Sequence, residues 1–234
     1  MKTGTENSMP QNNLAKALVK TAEASEHLSQ MNLNVDHLLE AVKVGHGSRS
    51  NAGGLHPPTT PGFNAWSDTN FGLSRRLIDE GWSRDVVDNI PILRHPNGAF
   101  QIVVSSGDIA TGTALESLTP STLQKKGVKF SSLFGGNTRD LFDKEAPLEN
   151  LMQKTPGECP TYILLYYYDQ SKKETRCELS LPSPSDRDKI ANKEKQYVSE
   201  WEQRIIIGSV GGEPDFPTAD FTEDSDFDIK RKTS

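Results

Sequence analysis

The chain predicts an α+β fold: an antiparallel or mixed sheet built on two β-hairpins and packed by helices, with an N-terminal helical pair and a disordered acidic C-terminal tail. Three observations predict it. Apolar residues recur at three- and four-residue spacing between Leu14 and Val44, the period of a helix with one buried side. Two pairs of β-rich runs, near 90–105 and 161–181, flank turn residues. From Glu213 to Asp228 there are seven acids, no Lys or Arg, and the singly spaced Phe216, Phe221 and Phe227, a composition that does not build a core.

Residues 1–13 are polar and expected to be disordered, and residues 14–45 form the N-terminal helical region. Leu14, Leu18 and Ala22, then Val35, Leu38, Leu39 and Val42, carry the period. Asn32 and Asn34 interrupt it, because Asn competes for backbone hydrogen bonds and favours caps. Asn34 is the expected cap of the second helix, with Gly45 and Gly47 as its stop. The stretch from Gly45 to Gly62 holds five glycines and three prolines in eighteen residues, so 46–62 reads as a loop or linker before a globular body, 63–212.

Within the body, Ser67 or Asp68 caps a helix to Glu80, with Phe71, Leu73, Leu77 and Ile78 as its apolar side. Ile90–Arg94 and Ala99–Ser105 flank Asn97-Gly98, a signal for tight reversal. Thr119-Pro120 reads as a helix start closing at Gly127, Val128–Phe134 as a strand, and Leu148–Lys154 as a short helix. Thr161–Asp169 and Thr175–Leu181 form the clearest β pair. The run Tyr162–Tyr168 lacks alternation, which predicts a central strand covered on both faces, whereas Arg176, Glu178 and Ser180 give its neighbour a polar face. A charged helix from Asp186 to Glu202 and a short strand, Arg204–Ile207, complete the body, and 213–234 is the tail.

The net charge is −6. In the tail, seven acids against Lys230, Arg231 and Lys232 give −4, which leaves −2 for residues 1–212. A nearly neutral body argues against a broad nonspecific nucleic-acid surface. The N-terminus lacks the apolar stretch of a signal peptide, and the longest apolar run falls far short of the roughly 20 residues that span a bilayer. Cys159 and Cys177 have no metal-ligand spacing and read as reduced thiols, so the expected location is the cytoplasm, with no membrane partner.

Apart from the tail, three sets of residues could carry function. Ser105–Thr113 is a small-residue loop after a strand, where backbone N–H groups can approach a phosphate and Asp108 can act as ligand or base, although it matches no P-loop or dinucleotide pattern. Asp108 with Asp169 and Glu178 would form the catalytic set of a metal-dependent hydrolase or nuclease, with Mg²⁺ or Mn²⁺ as its cofactor. Arg75 and Arg76, with Trp66, Trp82, Arg84 and Arg94 nearby, mix guanidinium groups and aromatics as an anion- or nucleic-acid-binding surface does. The leading expectation is a noncatalytic protein-interaction module within a larger complex, with no cofactor and no metal, in which Phe216, Phe221 and Phe227 of the tail contact another protein. The hydrolase and a nucleic-acid-binding protein are its alternatives.

Overall fold

The run Thr161–Asp169 sets the architecture, because its alternating side chains are apolar on both faces and both faces need cover. In the computed structural model, which describes residues 17–137, 159–192 and 195–212, this strand lies at the centre of a seven-stranded mixed sheet. The strands in chain order are β1 (Ala17–Val19), β2 (Ser83–Val87), β3 (Ile90–Arg94), β4 (Gln101–Ser106), β5 (Thr161–Asp169), β6 (Glu174–Pro182) and β7 (Trp201–Gly211). Their spatial order is β1-β7-β6-β5-β4-β3-β2. The β1/β7 and β4/β5 pairs are parallel and the others antiparallel.

Helices α1 (Thr21–Gln30), α2 (Val35–Ser50) and α3 (Thr60–Asp79) cover one face. There Leu28, Leu38, Leu73 and Leu77 meet Tyr162, Leu164 and Tyr166 of β5. On the other face, Ile163 and Leu165 pack with Phe130, Phe134, Ile190 and Trp201. These come from α4 (Val128–Ser131), the 3₁₀ turn Ser132–Gly136, α5 (Pro184–Asn192) and β7. Among the described residues no helix is long and apolar enough to cross a membrane. The expectations for residues 1–13, for a helix at Leu148–Lys154 and for the tail lie outside the described residues.

Several elements differ from the sequence expectation: Leu18, expected in the first helix, lies in β1, which pairs with β7 and leaves α1 to start at Thr21, while the Asn34 cap is as expected. The Asn34 side chain accepts from the Asp36 N–H at 2.9 Å and caps α2. That helix then runs through Gly45 and Gly47 to Ser50. Gly45 lies inside it, and the missing side chain lets α3 pass close: a Cβ there would lie 2.0 Å from Thr69 Oγ1 and 2.6 Å from the Ala65 carbonyl. Helix α3 starts at Thr60, since Pro61 fits a first turn where its missing N–H has no partner to lose. At residues 119–127 the chain forms bridges instead of a helix, Gly107 with Thr122 and Lys126 with Gln196, and the Pro120 carbonyl accepts from Trp201 Nε1 at 2.8 Å.

Residues 128–136 are helical instead of extended, which places Phe130, Leu133 and Phe134 at helical spacing in the second core. The charged helix after Asp186 stops by Asn192, and β7 begins at Trp201, because Val198 and Trp201 are needed in that same core. Strand β2 has no clear pattern in the sequence. It is turned back onto β3 by Asp88 and Asn89, both at positive φ (52° and 66°), as a two-residue hairpin turn requires.

Asp186, 1% exposed, ties α5 to the approach of β7 by accepting the N–H groups of Ser199 (2.6 Å) and Glu200 (2.7 Å). Burial raises its pKa against the pull of those bonds. The folded state therefore holds this proton more tightly than the unfolded state, and the group's contribution to stability falls as pH rises through the raised pKa. Asp186→Asn keeps an acceptor oxygen and removes the charge. It is expected to raise the denaturation midpoint at neutral pH, with the gain shrinking in acid; a lower midpoint at neutral pH would contradict this.

Candidate functional site

The three carboxylates expected to hold a metal are each occupied in holding a loop. Glu178 is fully buried on the second face of β6. Arg204 of β7, 2% exposed, grips it with Nε to Oε1 at 3.0 Å and Nη2 to Oε2 at 2.7 Å. The remaining capacity of both groups is used as well: Glu178 accepts from the Gly112 N–H (2.8 Å) and the Ser180 hydroxyl (2.7 Å), and Arg204 donates to the carbonyls of Leu118 (3.0 Å) and Thr113 (3.3 Å). The polar face of β6 is thus covered at Glu178 and Ser180, both fully buried, and the ion pair clamps residues 112–118 onto the sheet.

Asp108 accepts from the N–H (2.9 Å) and hydroxyl (2.8 Å) of Ser121 and from the Ala110 N–H (3.0 Å), so it closes the small-residue loop on itself. Asp169 caps the β5–β6 turn through the hydroxyl (2.6 Å) and N–H (3.0 Å) of Ser171. The Ser171 hydroxyl, above all, holds that carboxyl below its usual pKa. Leu165 is the register partner of Glu178, so Asp169 lies four residues farther along β5, roughly 13 Å away. Among the described residues no group of three His, Cys, Asp or Glu side chains is placed to hold a metal ion.

The arginine and aromatic segment divides between interior and surface. Trp82 is buried edge-on to His95 (ring centroids 4.9 Å apart) and Phe100 (5.4 Å), and half-buried Trp66 donates to the Val104 carbonyl at 3.3 Å. Arg76 pairs with Glu40 of α2, and Arg94 reaches Asp85 at 3.9 Å. Arg75 and Arg84 are exposed.

Helix period decides which apolar residues of α3 face inward. Leu73 and Leu77 are fully buried, but Phe71, Arg75 and Ile78 fall on the opposite side, with Phe71 60% and Ile78 46% exposed. Phe71 and Ile78 therefore do not belong to the buried side, as the spacing alone had suggested. Two depressions share Phe71 and Arg75. One, of about 390 Å³, is bounded by Lys43, Val44 and Arg76; the other, of about 480 Å³, extends to Ile78, Arg84 and Pro91. Together they form an apolar strip bordered by Lys43, Arg75, Arg76 and Arg84, with Glu40 as the acid among its described lining residues.

The sequence marked Arg75 and Arg76 in this region but missed the exposure of Phe71. The available signal was its position two residues from Leu73, on the far side of the same helix. Phe216, Phe221 and Phe227 lie outside the described residues. Compared with known proteins, the chain matches no family model, no curated protein and no solved structure.

Proposed function

We propose that the chain is a noncatalytic, intracellular protein-interaction module that works within a larger complex, and that the outer face of α3 receives an acidic partner segment bearing apolar side chains. The observation that carries this reading is Phe71, 60% exposed in a groove bordered by Lys43, Arg75 and Arg84 and by the Arg76–Glu40 pair. A large apolar side chain at the centre of a patch supplies affinity, and a rim with an excess of one charge steers and selects the partner. The acidic tail with Phe216, Phe221 and Phe227 is a second contact in this proposal, offered by this chain to a basic partner groove.

The nucleic-acid alternative draws on the same Arg75 and Arg76, and Arg76 is already paired with Glu40. The hydrolase alternative gains no support from Asp108, Asp169 and Glu178, whose hydrogen bonds serve the loops.

The test is affinity capture from native extract with the full chain and with its Phe71→Asp and Arg75→Glu variants, followed by mass spectrometry and by titration of the recovered partner. A partner with an acidic segment is expected to bind the parent chain, with its affinity falling about tenfold or more in either variant, an effect of about 1.4 kcal/mol. The melting temperature should be unchanged, because both side chains are exposed. A partner bound equally by all three proteins would remove the interface from α3.

A further inference from the structure

Strands β4 and β5 are parallel, with Ser106 beside Tyr166, so both end on the same side of the sheet. Beyond such carboxyl ends the following chain segments diverge and leave a crevice, the place where open α/β sheets take their ligands. Here the chain after β4 turns away to the Gly107–Thr122 bridge, while β5 continues through Tyr167 and Tyr168 to its turn with β6. The end of α2 and the start of α3 border the opening. The result is a cleft of about 640 Å³, within the range of small-molecule sites. It is separate from the groove on the outer face of α3, except that Trp66 borders both.

Its chemistry is of one sign. Arg49 and Lys126 line it, and among the described residues no carboxylate does. The guanidinium of Arg49 is held over the Tyr168 ring at 4.3 Å, and the Lys126 ammonium lies 4.9 Å from the centre of the Phe130 ring. Burial lowers the Lys126 pKa to about 8, the mark of an ammonium that has lost water without gaining a counter-charge. An anion entering the cleft would supply that charge. Ser105 and Ser106, the last residues of β4, and Gly107 also line it, at the start of the segment that the sequence singles out for phosphate.

The mouth supplies flat apolar surface. Phe63 is 62% exposed and tilted against Trp66, with their ring centroids 6.1 Å apart. An exposed Phe63 ring and a half-buried Trp66 ring, beside cations that pair with no carboxylate among the described residues, are what a ligand with both an aromatic ring and a phosphate needs.

We propose that this cleft binds a nucleoside phosphate, with its base against Phe63 and Trp66 and its phosphate held by Arg49 and Lys126.

The test is isothermal titration of the full chain with purine and pyrimidine nucleoside monophosphates and triphosphates, their parent nucleosides, inorganic pyrophosphate and a short oligothymidylate. At least one nucleoside phosphate is expected to bind more tightly than both its nucleoside and pyrophosphate. Lys126→Met and Arg49→Met should each weaken that binding by about tenfold or more, and Phe63→Ala by several-fold, with melting temperatures unchanged. Phe71→Asp should leave it intact, so failure here and failure of the α3 interface are distinguishable. No binding of any nucleoside phosphate at millimolar concentration would overturn the proposal. So would wild-type affinity in both cation variants, pyrophosphate binding equal to the best nucleotide, or binding of the oligonucleotide alone.

Discussion

Arg204→Ala is expected to cost about 4 kcal/mol of stability, because it leaves the fully buried Glu178 carboxylate without its counter-charge. The geometry explains why the figure lies far above that of a surface pair. Arg204 makes two bonds to the carboxylate and two more to the carbonyls of Thr113 and Leu118, so four acceptors lose a donor at once. Arg204→Lys keeps the charge but not the planar fork that reaches both the carboxylate and the loop, and should recover only part of the loss.

Replacing both partners, as in Glu178→Leu with Arg204→Met, removes the stranded charge and is expected to be milder than Arg204→Ala. It remains destabilising, because the Gly112 N–H and the two carbonyls lose their partners. Urea denaturation of the three variants checks the order. A loss under about 1 kcal/mol for Arg204→Ala would show that water replaces the guanidinium and that the pair is not the clamp described.

Two glycines in α2, two residues apart, are expected to respond to the same substitution with opposite sign. Glycine in a helix interior costs about 1 kcal/mol relative to alanine, so Gly47→Ala, with open space where its Cβ would go, should stabilise by about that amount. Gly45→Ala makes the same backbone gain, but its methyl group meets Thr69 Oγ1 and the Ala65 carbonyl. Thr69 can shift; a backbone carbonyl inside α3 cannot without moving the helix. Overpacking of this kind costs about 3 kcal/mol, which outweighs the propensity gain and leaves a net loss of about 2 kcal/mol. Equal effects at the two sites, measured by thermal melting, would mean that α2 and α3 separate more easily than their contact implies.

The coarse class, a mixed sheet with helices, was legible because β5 is so strongly patterned: seven consecutive apolar or aromatic residues from Tyr162 to Tyr168 leave no solvent face. The helical character of 128–136 was not legible, since Val128, Phe130 and Phe134 fit an extended alternation as well as a helical one in so short a run. Gly45 shows a different limit. Its local meaning, a helix stop, is overridden by a contact with a residue twenty-four positions away, Thr69, which no local pattern contains.

For the site, residue types were legible and their company was not. Glu178 looks like a solvated strand carboxylate until Arg204, from another strand, is placed beside it. Lys126 drew no notice, because nothing in Lys125-Lys126-Gly127 shows that one of two adjacent lysines is half-buried beside the Phe130 ring.

Strand β7 lies between β1 and β6, so the last strand among the described residues fits inside the sheet and not at its edge. During synthesis, a chain that has emerged only as far as Glu200 therefore holds an incomplete sheet. Strand β6 then presents an open hydrogen-bonding edge, α1 and α2 lack the Ile205 and Ile207 side chains they pack against, and Ala17–Val19 has no strand to join. Nascent chains stalled before Trp201 should be protease-sensitive and prone to edge-to-edge association, and protection should arrive in one step once residues 201–211 clear the ribosome exit tunnel. The topology thus makes the arrival of β7 the step that closes the sheet between β1 and β6.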